Sequence, residues 1–199
     1  MPPITASGIA DGTAALARGD WEAAREAFSA ALEAGESGTA WEGLGWAAWW
    51  LSDEALTLRA RESAYRAFRT EADDGAAGRV AAWLSTDFRE FRGEDAVARG
   101  WLVRAHRLLD PLPESADHGW LALNEGSFAL NVELDPPAAA RHARFAARLG
   151  RELGVADLEA VGLALDGIAD ASSSCRMPSS TRPRRSCASR SPRAGRSAT

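Results

Sequence analysis

The stretch GTAALARGDWEAAREAFSAAL, residues 12–32, decides the fold of this chain. Gly19 and Asp20 end a first helical run and separate it from a second, and the Asp20 side chain is a good N-cap for the second helix. After this break, apolar and small residues recur at the spacing of one helix face, at positions 21, 24, 28, 31 and 32. The stretch therefore predicts two helices joined by a tight turn.

The same arrangement returns along the chain at a regular spacing. Glycines in the first helix of three successive pairs lie at Gly12, Gly45 and Gly78, so both steps are 33 residues. The turns within the pairs lie at 19–20, 52–53, 93–94 and 134–135, with steps of 33, 41 and 41 residues. Because repeats of this length are typical of stacked helix pairs, the sequence predicts an all-α fold, an α-solenoid of about nine antiparallel helices. The third pair is irregular, and we expect its first helix to be extended.

The breaks between these runs delimit the expected elements. We predict helices at 8–18, 21–34, 39–51, 54–71, 76–91, 95–109, 117–132, 138–153 and 155–168. We expect a flexible N-terminus at 1–7, a helical-repeat domain at 8–168 and a disordered basic tail at 169–199.

Charge is divided unevenly between the predicted domain and the tail. Residues 1–168 hold 27 acidic residues and 16 Arg, a net charge of −11, whereas residues 169–199 have a net charge of +6. Since an acidic surface repels phosphates, we expect no direct DNA binding by the domain. Residues 1–10 lack the basic and apolar regions of a signal peptide, and no apolar run reaches the length of a membrane span. We therefore expect a cytoplasmic protein without membrane contact.

The first helix pair resembles a tetratricopeptide repeat (TPR). This family places a small residue in the first helix, Gly-Asp-aromatic at the turn, and Ala, aromatic and Ala along the second helix. The matching residues are Gly12, Gly19-Asp20-Trp21, Ala24, Phe28 and Ala31. Residues 41–48 match the first half of a second copy, although the Pro that usually closes the repeat is absent from both. The resemblance implies a TPR-like stack in which the first helix of each pair lines a concave groove.

A wider set of segments is similar to the helical-repeat region of bacterial LuxR-family transcriptional regulators. The segments are 19–21, 43–51, 61–62, 100–102 and 118–123, within a likeness that covers 8–168. That family joins a helical-repeat sensor to a C-terminal helix-turn-helix, which has no counterpart in this sequence. The resemblance implies a non-catalytic module that binds a protein or peptide partner, or a small-molecule effector, in its groove.

Tryptophan supplies most of the candidate groove residues. The candidates are Trp46, Trp49, Trp50, Trp83 and Asn131. When Gly45 is matched to the small first-helix position of the family, Trp41 falls in the core, and the next three tryptophans fall near the groove. Trp offers a large contact area at a low cost in conformational entropy. The alternative is core packing, and because Trp49 and Trp50 lie about 100° apart on a helix, we expect at least one to be packed.

No residue pattern in the sequence indicates catalysis, a cofactor or a metal ion. His106, His118 and His142 are scattered, paired-Cys and HExxH spacings do not occur, and the absence of Lys excludes a P-loop. We expect His118 to begin a helix. Acidic pairs such as Asp73-Asp74 suit helix caps better than an acid–base pair. We therefore predict a protein that is not an enzyme.

Residues 169–199 differ in character from the rest of the chain. They are mainly Ser, Arg, Pro, Ala, Thr and Cys, without helical period. One hypothesis is a genuine basic tail, which would make the protein a free-standing TPR adaptor whose tail contacts nucleic acid. The other, which we favour, is a frameshift product, because GC-rich coding DNA yields this composition in a wrong frame.

The last predicted helix, 155–168, would then lack its helical partner. Its apolar stripe consists of Leu158, Val161, Leu165 and Ile168. Natural helical arrays end in a polar cap, which this last predicted helix lacks. We therefore expect its apolar stripe to be uncovered and to favour self-association.

Overall fold

Residues 4–175 are described by a computed structural model, and within them the fold is all-helical, without a strand. The helices are α1 (Ile4–Arg18), α2 (Trp21–Ala34), α3 (Gly38–Trp50), α4 (Glu54–Thr70), α5 (Asp74–Arg92), α6 (Asp95–Leu109), α7 (Ala116–Asn131), α8 (Pro136–Leu153) and α9 (Ala156–Cys175). The predicted all-α class is confirmed. Helix α1 begins before the predicted start at Gly8, and α9 continues past the predicted end at Ile168. The rest of the expected tail, 176–199, lies outside the described residues.

Aspartate side chains cap the beginnings of four helices. Each accepts a hydrogen bond from the backbone N–H three residues further on, at distances of 2.9 to 3.3 Å, and the four are Asp20, Asp53, Asp73 and Asp135. A cap of this kind contributes about 1 kcal/mol to the stability of a helix. Gly93 and Gly154, with φ of 65° and 70°, follow the last residues of α5 and α8 in the left-handed conformation that glycine tolerates. The helix boundaries thus follow from local signals.

Glycines in the first helices allow close approach of the second helices. A Cβ atom on Gly12 would lie 2.8 Å from the ring of Phe28, and one on Gly78 would lie 2.7 Å from Leu109. Both distances are shorter than real carbon contacts, so only glycine fits. The third repeated glycine, Gly45, has a different neighbour: its Cβ would lie 2.9 Å from Cγ of Arg61. That position makes room for a long cationic side chain.

Helices α3, α5 and α7 lie side by side and run in the same direction. Side chains are joined across them in the pairs Glu42–Arg79, Arg79–Asp117, Thr86–Asn124 and Arg89–Ser127. The members of each pair are 37 or 38 residues apart. A nearly constant separation at successive heights requires neighbouring helices to be parallel. The superhelical arrangement of an α-solenoid stays a prediction.

Alanine forms much of the contact between helices. Ala24, Ala47, Ala81 and Ala146 are all fully buried, and their small side chains let the helices approach closely. Buried apolar surface is therefore spread over many amphipathic helices. Within residues 4–175, no helix is long and apolar enough to cross a membrane.

Helix α9 corrects the expectation of an uncovered stripe. Leu158 is fully buried and packs where Gly119 of α7 leaves room, and Leu165 approaches Gly126 of the same helix. Val161 and Ile168 remain 47% and 55% exposed. The prediction was thus wrong for the two leucines, because α7 and α8 together cover one side of α9. The other two residues line a groove described below.

Candidate functional site

Six of the eight tryptophans form a continuous line of rings, here called the tryptophan row. In spatial order they are Trp21, Trp50, Trp49, Trp46, Trp83 and Trp120. Successive ring centroids are 4.8 to 6.4 Å apart, the range in which aromatic rings attract one another beyond simple burial. The row begins at Trp21 of α2 and then runs across α3, α5 and α7, and the parallel order of these three helices explains the order of the remaining rings.

The tryptophans on the parallel helices have a sequence signature. Trp46, Trp83 and Trp120 follow one another at steps of 37 residues, the same separation that joins Glu42 to Arg79. Equal steps place the three rings at one height on three adjacent helices. The row is therefore a repeated feature of the helix pairs.

An apolar cavity of about 280 Å³ lies at the end of the row, between α5, α7 and α9. We call it the groove, and its lining residues are Trp83, Trp120, Leu123, Asn124, Ser127, Val161, Ala164, Leu165 and Ile168. Two indole rings form one wall, and the exposed aliphatic side chains of α9 form the other. Ligand pockets in proteins commonly begin at about 300 Å³, so the groove suits a few side chains or one small molecule.

One edge of the groove carries two polar side chains, Asn124 and Ser127, that are held in place by hydrogen bonds. The Thr86 hydroxyl donates to Oδ1 of Asn124, and Nδ2 of Asn124 donates to the carbonyl of Trp120 at 3.0 Å. Arg89 donates to the hydroxyl of Ser127 at 3.3 Å. These bonds fix the orientation of the amide and hydroxyl that face the groove. They can orient a ligand, whereas its binding energy would come from the apolar walls.

A charged ladder lies on the other side of the tryptophan row. Arg79 donates two hydrogen bonds to the carboxylate of Glu42, at 2.8 and 2.9 Å, and one to Asp117 at 3.3 Å. The bond to Glu42 raises the pKa of Arg79 above its already high value. Partial burial raises the pKa of Asp117, against the pull of Arg79. The ladder joins α3, α5 and α7 at a height next to the rings.

A buried ion pair lies against the row. Arg61 of α4 and Asp87 of α5 are only 2% and 1% exposed, and Nε of the guanidinium lies 3.2 Å from the carboxylate. The guanidinium carbon also lies 4.3 Å from the ring centroid of Trp46 and 5.6 Å from that of Trp83. Among the described residues 4–175, no protein group is hydrogen-bonded to Nη2 of Arg61 or to either carboxylate oxygen of Asp87, because the ion contact lacks hydrogen-bond geometry. Burial raises the pKa of Asp87 to about 6 and lowers the pKa of Arg61.

The structure separates the predicted groove residues into three groups. Trp46 and Trp49 are half-buried members of the row, and Trp50 is 51% exposed near its other end. Trp83 lines the groove directly. Asn131 is exposed at the last turn of α7, where its Nδ2 donates to the carbonyl of Ser127 at 2.8 Å, and it is not among the residues that line the groove. Trp41 packs between two core clusters, as expected.

The histidines serve structural contacts. His118 lies in the first turn of α7, as predicted, with Nδ1 accepting from the N–H of Ser115 at 3.1 Å. Nε2 of His106 is hydrogen-bonded to Oε1 of Glu125. The other carboxylate oxygen of Glu125, Oε2, lies 3.4 Å from Nδ1 of His142. Among residues 4–175, no group of three or more His, Cys, Asp or Glu side chains could hold a metal ion.

This histidine cluster has strongly shifted pKa values. The hydrogen bond to Glu125 raises the pKa of His106 to about 9. Burial alone would raise the pKa of Glu125, but the bonds from both histidines outweigh it and hold that pKa at about 2. The cluster therefore carries charge at neutral pH and ties α6, α7 and α8 together.

Over residues 4–175, the chain is an all-helical protein with an aromatic and aliphatic groove. Comparison with protein-family models, curated proteins and solved structures gives no match to this chain.

Sequence reasoning missed Trp120, Arg61 and the α9 wall of the groove. The step of 37 residues from Trp46 through Trp83 could have identified Trp120. The α9 wall has no local signal, because Val161 and Ile168 are an ordinary helical stripe until their neighbours are known. Arg61 resembles any helix-surface arginine in the sequence, and only the packing of α4 on α3 reveals its burial.

Proposed function

We propose that the chain is a non-catalytic binding module whose groove takes an apolar segment of a protein or peptide partner. The resemblance noted above adds the context of a TPR-like sensor region of a LuxR-type transcriptional regulator in the bacterial cytoplasm. In that context, the groove is the surface that receives a signal, and DNA binding belongs to a separate helix-turn-helix.

The observation that carries this proposal is the groove between the last two rings of the row and α9. Val161 and Ile168 are about half exposed, although they face Trp83 and Trp120 across a concave surface. Burying one large apolar side chain of a ligand stabilises a complex by about 1.5–3 kcal/mol before the costs of association. A short segment with two or three such side chains would therefore bind measurably.

Selection from a phage-displayed peptide library, followed by calorimetric titration of the selected peptides, tests this function. We expect enriched peptides to carry large apolar residues. Val161→Asn should raise their Kd by about tenfold, because it removes apolar contact and places an amide in the groove. Val103→Asn is the matched control, since Val103 is 45% exposed in the middle of α6 and outside the groove.

Two results would overturn the proposal. One is the absence of any peptide enriched over a surface without the protein. The other is equal loss of affinity in both valine variants, which would place binding elsewhere.

A further inference from the structure

Arg61 is in an unusual position for an arginine. Its side chain is almost fully buried, and its guanidinium lies against the rings of Trp46 and Trp83, with Asp87 as its counter-ion. Gly45 provides the space, because a Cβ atom there would lie 2.9 Å from Cγ of Arg61. Two residues of α3 and two of α5 are therefore fitted around one cation from α4.

Stability alone does not account for this arrangement. A buried ion pair costs desolvation energy, and well-packed apolar replacements are often equally or more stable. Here the cost is raised, because no protein group of the described part of the chain is hydrogen-bonded to Nη2 of Arg61 or to the carboxylate oxygens of Asp87. Besides the attraction of Asp87, the cation has a favourable contact with the indole rings of Trp46 and Trp83, and such a contact is strongest when the cation is desolvated.

We propose that Arg61 is a positioning residue of the binding surface: it fixes the ring planes of Trp46 and Trp83, and Asp87 holds it in place. The row shares two rings with the groove, Trp83 and Trp120, and Trp83 is the one that Arg61 contacts. The orientation of the groove wall is therefore set from inside the protein by a residue that no ligand touches. This role rests on the proposed function of the groove.

The test replaces the ion pair with apolar side chains of similar size in the double variant Arg61→Met, Asp87→Leu. The protein is labelled with 5-fluorotryptophan, and the fluorine resonances are assigned through single Trp→Phe changes. We expect the double variant to unfold at the same or a higher urea concentration than the parent protein. We expect the resonances of Trp46 and Trp83 to move or broaden, and that of Trp101, which lies outside the row, to stay unchanged.

A matched control separates positioning from stability. Leu149 is buried on α8, a helix that carries neither the ion pair nor a ring of the row, so Leu149→Ala should lower the unfolding midpoint without changing a residue beside the cation or the two rings. The positioning role requires the resonances of Trp46 and Trp83 to shift in the double variant and to stay unchanged in Leu149→Ala. Unchanged resonances in a folded double variant, or equal changes in the two variants, would overturn it.

Arg61→Lys decides the matter if the double variant does not fold. Lysine keeps the charge beside Asp87 but lacks the planar guanidinium that stacks on aromatic faces. We expect the same selective change at Trp46 and Trp83, and its absence would overturn the proposal.

Binding is measured with the peptides selected on the parent protein. We expect affinity to fall by about tenfold in the double variant, on the scale of one desolvated cation–ring contact. Unchanged affinity despite displaced rings would overturn the link to the groove. If no peptide is selected, the proposed function fails, and the fluorine spectra alone still decide whether Arg61 orients the rings.

Discussion

Asp87 on α5 and Glu125 on α7 lie 38 residues apart, the separation that joins side chains at one height on these two helices. Asp87 faces Arg61 of the preceding helix, α4, and Glu125 faces His106 of the preceding helix, α6. Yet the pKa of Asp87 is raised to about 6, and the pKa of Glu125 is lowered to about 2. One position in the repeat thus holds two carboxylates with opposite behaviour.

Burial and hydrogen bonding explain the difference. Asp87 is almost completely removed from water and receives no hydrogen bond, so the loss of solvation outweighs the attraction of Arg61. The side chain of Glu125 is 19% exposed and is bonded to His106 with His142 nearby. An opposite charge close by is therefore not enough to stabilise a carboxylate, and the hydrogen bonds decide the sign.

The largest expected effect comes from removing one partner of the buried pair. Arg61→Met alone should lower the free energy of unfolding by about 3–5 kcal/mol, because Asp87 is left buried without a counter-ion. His106→Gln at the half-exposed site should cost about 1 kcal/mol or less. Urea denaturation followed by circular dichroism at pH 8 measures both, and equal losses would mean that burial does not distinguish the two sites.

The pH dependence of stability should differ in sign between the two carboxylates. The folded pKa of Asp87, about 6, lies above the ordinary 3.8, so the folded state binds the proton more tightly. The stability that Asp87 contributes is fully present when the pH lies below the ordinary pKa of 3.8, and it is lost as the pH rises to the folded pKa of about 6. The folded pKa of Glu125, about 2, lies below the ordinary 4.5, so its contribution is present above 4.5 and is lost as pH falls toward 2.

Urea denaturation of Asp87→Asn and Glu125→Gln across these pH ranges checks both signs. Relative to the parent protein, the Asn variant should gain stability as pH rises from about 4 to about 6, because it lacks the costly ionisation. The Gln variant should lose relative stability as pH rises from about 2 to about 4.5. A difference from the parent that is independent of pH would contradict the corresponding shift.

The smallest effect is expected at an exposed ion pair on the same two helices as the buried one. Nε of Arg92 on α5 lies 2.6 Å from Oε1 of Glu54 on α4, and the two side chains are 48% and 42% exposed. Because water screens such a pair, Glu54→Gln should change the free energy of unfolding by about 0.5 kcal/mol or less. The measurement is the same urea titration, repeated at high salt, where the effect should shrink further. A loss as large as that of Arg61→Met would show that the α4–α5 contact itself is fragile.

Much of the fold could be predicted because its signals are local. Asp20 and Asp73 cap helices within three residues of themselves, as expected, and Asp53 and Asp135 do so at predicted turns. The repeated Gly12 and Gly78 lie at close helix contacts. Such features depend on neighbours in sequence or on a helix pair joined by a short turn. They can be read without knowing the rest of the molecule.

The candidate site was less predictable because it is built from distant residues. Gly45 was matched to the small first-helix position of the repeat, which does not reveal that its neighbour is the buried Arg61. The groove combines Trp83 on α5, Trp120 on α7 and Val161 on α9. The lateral order of three helices has to be known before these side chains can be placed together.

The tryptophan row also has an optical consequence. Indole rings whose centroids are no more than 6.4 Å from the next exchange electronic excitation far faster than they emit light. Light absorbed by any of the six rings therefore migrates along the row, and the emission reports the row as a single chromophore. A quencher bound beside Trp120 would therefore lower the fluorescence of rings as distant as Trp21. The emission of the whole row thus responds to what binds in the groove.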